Sequence, residues 1–207
     1  METLRKISYL ILVNILLTSA SFSQDFKKIQ DAFSGSYKLE TTGDYVKSID
    51  ALKAIYDEKS YEINLRLGWL NYMAGLFTES ISYYQKAIAL KPYSIEAKLG
   101  IVNPAAAAGN WEQVKTQYNE ILKIDPQNTT ANYRMGVIFY GKQDYNTAFK
   151  YLEKVVNLYP FGYDALIMYA WCNYKLGKLR EAKVLFNTVL MYSPTDTSAL
   201  EGLGLIK

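Results

Sequence analysis

No histidine occurs anywhere in the 207 residues. Its absence removes Ser-His-Asp and Cys-His nucleophilic catalysis and every histidine-ligated zinc site. Cysteine is reduced to Cys172 alone, so no internal disulfide can form. Its place in the helical phrase YAWCNYKLG reads as a small buried hydrophobe rather than a reactive thiol. Charge is nearly balanced: 23 basic against 20 acidic residues leave +3, with no Lys/Arg run longer than a pair. Nucleic-acid binding needs a dense basic stripe to displace counterions, and none is present. Glycines stand singly at turns, so no phosphate-cradling loop exists. Acid pairs such as Asp144 with Glu153, or Glu112 with Glu120, fall on helices near turns, where solvated acids are ordinary. No catalytic residue, metal ligand set or cofactor is expected. What remains plentiful is apolar and aromatic matter: half the residues are apolar, and 19 tyrosines bring the aromatics to 14%.

Proline is sparse too, yet four of the five stand in register. Pro92, Pro126, Pro160 and Pro194 are 34 residues apart and close the phrases AIALKP, EILKIDP, KVVNLYP and TVLMYSP. A constant period of this length predicts stacked helical hairpins. Each proline is preceded by one helical run, a turn, and a second run. The turns fall at Gly43, Gly75, Gly109, Gln143 and Gly177. The second runs carry a small residue, an aromatic or leucine, and a further apolar residue: Ser80, Tyr84 and Ala87; Ala148, Leu152 and Val155; Ala182, Phe186 and Val189. The intervening copy has Val114, Tyr118 and Ile121. An earlier copy, TGDYVKSIDALKAIYDEKS, lacks the closing proline.

The pattern resembles the tetratricopeptide repeat (TPR). The resemblance covers about residues 29–207, and it implies an all-α fold: a right-handed superhelical array of antiparallel helix pairs. The expected repeats are 29–60, 61–94, 95–128, 129–162 and 163–196, followed by a partial capping helix over 197–207. Gly68, Gly136 and Ala170 match the close-packing position of the first helix, whereas Ser36 and Val102 depart from it. The early tryptophan of the family pattern is missing from every copy. Pro104, inside the third repeat's first helix, is expected to kink it near 100–104. Asp196 or Thr197 is expected to cap the last helix.

The N-terminus, METLRKISYLILVNILLTSASFSQ, joins a short basic region (Arg5, Lys6) to an apolar core and a run of small residues. This reads as a signal peptide over 1–23, with Gln24 first in the mature chain. The apolar stretch is shorter than the roughly 20 residues that span a bilayer. Export together with the TPR resemblance implies a soluble protein in the periplasm or outer envelope of a Gram-negative bacterium.

In the family, first helices line a concave groove. Positions i, i+4 and i+7 of each first helix share a face. One register gives Phe33, Tyr37 and Glu40; Leu65, Trp69 and Tyr72; Leu99, Asn103 and Ala106; Tyr133, Val137 and Tyr140; Ile167, Trp171 and Tyr174. Seven of these fifteen positions are Tyr or Trp and an eighth is Phe, against a 14% aromatic background. Packing between neighbouring first helices accounts for Leu65, Tyr133 and Ile167. The candidate partner-binding residues are Tyr37, Trp69, Tyr72, Asn103, Tyr133 (for which packing is the alternative role), Arg134, Tyr140, Trp171 and Tyr174. Arg66 and Arg134 flank the face, where solvated helix flanks are the ordinary role. Asn103 is the only amide on the stripe and no lysine accompanies it, so the family's carboxylate-clamp activity is not carried over. The expected function is a non-catalytic protein–protein scaffold, its partner a protein or peptide. Two alternatives stay open: a glycan- or peptidoglycan-binding module, and a subunit that self-associates through its ends.

Overall fold

The computed structural model describes residues 26–206. The expected signal segment over 1–23 lies outside the described residues. Those residues form eleven α-helices and no strand. They divide into two compact units meeting at Gly109 and Asn110. The first unit holds α1 (26–41), α2 (Tyr45–Lys53), α3 (Tyr61–Met73), α4 (Phe77–Leu90) and α5 (Ile95–Ala107). The second holds α6 (Trp111–Ile124), α7 (Thr129–Gly141), α8 (Tyr145–Leu158), α9 (Tyr163–Lys175), α10 (Leu179–Tyr192) and α11 (Thr197–Leu205).

Short turns close the helical hairpins α1–α2, α3–α4, α7–α8 and α9–α10. The residues expected at these four turns have positive φ, Gly43 +77°, Gly75 +76°, Gln143 +62° and Gly177 +74°, and so does Gly109, the last residue of the first unit, at +75°. At the first hairpin of full length the Gly75 N–H donates to Tyr72 O and the Leu76 N–H to Asn71 O, at 3.0 and 2.8 Å. This paired bonding satisfies carbonyls that the helix end would leave open. Gln143 reproduces it, with Gln143 N to Tyr140 O and Asp144 N to Phe139 O at 2.9 and 3.0 Å. The side chain of Asp44, Ser60, Ser94, Asn110, Asn128, Asp144 or Asp196 caps the start of the helix that follows it.

A second periodic device ties three successive connections to the helices that follow them. Asn64, Lys98 and Asn132, 34 residues apart, are buried and donate to the carbonyls of Glu58, Pro92 and Pro126 at 2.9, 2.6 and 3.0 Å. Each reaches back six residues and satisfies a carbonyl that has no helical partner.

The second-helix positions that recur in the sequence form the core. Ser80, Tyr84, Ala87, Val114, Tyr118, Ile121, Ala148, Leu152, Val155, Ala182, Phe186 and Val189 are all buried. Ser36, expected as a departure, is buried as well. Its hydroxyl lies 2.7 Å from that of Ser48, which also donates to the Ser36 carbonyl, so the polar pair is satisfied. Pro104 is buried in the last turn of α5, which runs on to Ala107, and the ladder continues with Ala108 N to Pro104 O at 2.9 Å. A proline this close to the C-terminus costs the helix one hydrogen bond without ending it.

Candidate functional site

In the first unit, α1, α3 and α5 enclose a concavity of about 560 Å³. Phe33, Tyr37, Leu65 and Trp69 of the aromatic stripe line it, and Tyr84 and Gly100 contribute beneath them. Trp69 and Tyr37 are 36% and 52% exposed, so large aromatic faces remain open to a partner. Both are held in place by charge. The Glu40 carboxylate accepts the Trp69 indole N–H at 2.5 Å and pairs with the Arg66 guanidinium. Arg66 in turn lies over the Tyr37 ring, 4.0 Å from its centroid. Burial alone would raise the Glu40 pKa. Donation from Arg66 and Trp69, with the Arg66 charge, outweighs it and holds the carboxyl below its ordinary range.

Arg66 is thus not a solvated flank, since its side chain is 10% exposed and occupied on two sides. Spacing along one helix cannot disclose this, because Glu40 lies 26 residues earlier on another helix.

The rim brings in residues that the stripe omitted. The Tyr61 hydroxyl lies 2.7 Å from the Ser94 hydroxyl and donates to Glu96 at 3.2 Å. Burial and the Glu96 carboxylate keep this phenol protonated, with its pKa above the ordinary tyrosine value. Lys91 pairs with Glu62 at 3.1 Å and sits 4.1 Å from the Tyr61 ring centroid. The separation of Tyr61 from Ser94, 33 residues, is one short of the repeat period. Tyr163 and Asp196 repeat the pairing at the same separation, at 2.6 Å. That recurrence was the available signal: a tyrosine opening one first helix and a capping residue one period later. Tyr72 packs beside Trp69 and Phe77, with centroids 6.0 and 6.1 Å away, and does not line the concavity. Asn103 is exposed on α5, also outside the lining.

The second unit distributes its stripe differently. Tyr133 lines a concavity of about 540 Å³ with Tyr159, Tyr163, Asp164 and Tyr192. Arg134 is exposed, its guanidinium carbon 5.7 Å from the Tyr133 ring centroid. Tyr140 is half-buried, edge-on to Tyr145 at 5.2 Å. Trp171 and Tyr174, expected among the partner-binding residues, are both engaged in packing. The Trp171 indole donates to Ser198 Oγ at 2.8 Å and meets Phe186 and Tyr174 edge-on at 5.1 and 5.6 Å. A partial last helix, α11, covers this tryptophan, so its bulk closes the array's end. Cys172 beside it is fully buried, and burial pushes its thiol pKa up to about 12, outside the range of a reactive thiolate.

Stacked helical hairpins with aromatic-lined concavities define a class, the helical-repeat scaffold. Models of the tetratricopeptide repeat match residues 39–95 and 139–204, together more than half of the chain. The chain belongs to the tetratricopeptide-repeat family, and that membership supports a protein–protein interaction scaffold. Among curated proteins it is similar to the RNA polymerase-associated protein CTR9 of Caenorhabditis elegans. The two are 23% identical over 210 residues, covering 97% of this chain and 18% of the relative. The chain spans less than a fifth of the length of the first curated relatives it matches. Among solved structures it is similar to a tetratricopeptide repeat protein from Parabacteroides merdae. There the TM-score is 0.73 at 21% identity, covering 86% of this chain and 71% of the other. It is also similar to YrrB, described as a TPR protein with an unusual peptide-binding site. The TM-score is 0.67 at 11% identity, covering 84% of this chain and 91% of YrrB. At these identities the structural likeness concerns the fold.

Proposed function

We propose that this protein is a non-catalytic interaction scaffold of the cell envelope that takes an extended segment of a partner protein into the concavity of its first unit. The observation that carries the proposal is the pair of exposed rings, Trp69 and Tyr37, fixed in position by one Glu40–Arg66 ion pair. Trp, Tyr and Arg are the residue types that dominate interface energetics. Side chains already held by bonds to their own protein lose little further freedom on binding. The volume of about 560 Å³ suits a few partner side chains. A peptide-binding site in a protein of the same fold, YrrB, is in keeping with this use.

The envelope setting rests on the basic–apolar–small order of the first 23 residues, which is the order of an export signal. Among the described residues no helix is long and apolar enough to cross a membrane.

Capture from an envelope extract tests the proposal. The wild-type chain is compared with Tyr37→Ala/Trp69→Ala and with Trp111→Ala, which removes a 57%-exposed indole outside the concavity. Partners should be lost in the double variant and kept in the control. The same partners on all three proteins would remove the concavity from consideration.

A further inference from the structure

The charges around the first-unit concavity cancel, except one. Arg66 is matched by Glu40, and Glu62 is matched by Lys91 at 3.1 Å. Glu96 also lines the concavity, and the neutral Tyr61 hydroxyl is its hydrogen-bond donor at 3.2 Å. Among the described residues no cation pairs with Glu96, and its side chain is exposed. The residual charge of the site is therefore negative. Two tyrosines of the same site already show how it holds a cation. Tyr37 carries a guanidinium at 4.0 Å and Tyr61 an ammonium at 4.1 Å, each cation also bonded to a carboxylate. Trp69, the strongest cation-binding ring type, carries no cation of the protein's own among the described residues.

We infer that the concavity selects a partner segment bearing a lysine or arginine, with the cationic head at Glu96 and its apolar stem against Leu65 and Trp69. This rests on the peptide-groove reading and adds the partner's chemistry to it. A long basic side chain suits both halves of the site, because its methylene stem packs on apolar surface while its head remains near water. An acidic segment would set its charge against Glu96 and Glu62 without a free cation to receive it.

The test uses the full mature chain labelled with ¹⁵N and three pools of acetylated, amidated pentapeptides that differ only in the central residue: Arg, Ala or Glu. The readout is the Trp69 indole N–H signal, assigned with Trp69→Phe. The central-Arg pool should bind roughly 5- to 10-fold more tightly than the central-Ala pool, a ratio set by one exposed ion pair and the packing of the methylene stem. Glu96→Gln should reduce that ratio to about 2-fold or less, and Glu96→Arg should turn the preference towards the central-Glu pool. Equal binding of the Arg and Ala pools, or a preference that survives Glu96→Gln, would overturn the cation selectivity while leaving the groove in place. No shift of the Trp69 signal with any pool would overturn both readings.

Discussion

Replacing Gly68 by alanine isolates the contact on which the floor of the first concavity rests. A Cβ at position 68 would stand 2.8 Å from Cγ of Tyr84 and 2.9 Å from both Cδ atoms. The ring is 3% exposed and cannot recede, because a Cβ at Gly100 on another helix would come within 2.3 Å of its Cε1. Overpacking of this kind costs about 1–3 kcal/mol. Alanine offsets part of it, gaining about 0.8–1 kcal/mol over glycine inside a helix. Gly35→Ala in α1 supplies the control, since nothing lies within 4 Å of its Cβ. That variant should be more stable than wild type by about 0.8–1 kcal/mol. The gap between the two variants, about 1–3 kcal/mol, is then the steric cost alone. Urea unfolding followed by far-ultraviolet circular dichroism measures it, provided the slopes agree. On a Tyr84→Ala background the clash has no partner, and Gly68→Ala should bring the same gain as Gly35→Ala. Equal effects at 35 and 68 in the wild-type background, or strict additivity with Tyr84→Ala, would refute the reasoning.

Two further outcomes follow from the same geometry. Glu40 has its pKa held down in the folded state, so its stabilisation is complete above its unfolded pKa of about 4.3 and is lost as pH falls through the lower folded value. Trp69 fluorescence should titrate in that acid window, and Glu40→Gln should abolish the titration and cost about 1–3 kcal/mol by leaving the Arg66 charge without its partner. An unchanged acid titration in that variant would assign it to another carboxyl. Gln143 occupies the left-handed turn position that glycine holds at the other four turns, at φ +62°. Gln143→Gly should therefore stabilise the protein by about 1 kcal/mol in the same urea assay, and a loss of stability would show that the Gln143 side chain contributes something the backbone does not.

The frame was legible because it recurs. The 34-residue period located the turns, and at each of them a residue of positive φ stands where a glycine or its substitute was read. Buried second-helix positions followed from the same register. The candidate site was legible only in part. Tyr37 and Trp69 could be placed on a common face by helical spacing, but spacing along one helix cannot tell an open ring from one covered by a later element. Trp171 shows the difference: its cover is Ser198 on α11, 27 residues further on. The pairing of Glu40, on the stripe, with Arg66, on its flank, and the roles of Tyr61 and Glu96 escape spacing for a related reason. Their partners stand 26 to 35 residues away on other helices, and each pairing is made where the copies differ.

One cross-helix relation does recur in the sequence, at an offset of 16. Three second-helix anchors, Tyr84, Leu152 and Phe186, have a matched residue 16 before them in their own hairpin and another 16 after them in the next first helix. Tyr118, with Val102 and Arg134 at those offsets, does not follow the pattern. Tyr84 stands between Gly68 and Gly100, and a Cβ at either would overlap its ring. Leu152 meets Gly136 on one side, while Met168, 16 residues on, joins the same core cluster. Phe186 has Ala170 before it and Gly202 after it, where a Cβ would fall 2.3 Å from Cζ. At these three anchors the two aromatics, Tyr84 and Phe186, are matched by small residues, and the smaller leucine leaves room for methionine. At these three sites a larger anchor goes with smaller neighbours, as a close-packed interior requires. In the first unit this compensation has a functional consequence. The glycines that admit Tyr84 also let its ring lie beneath the concavity, so the substitution that fits a large anchor into the core supplies part of the surface on which Trp69 and Tyr37 are presented.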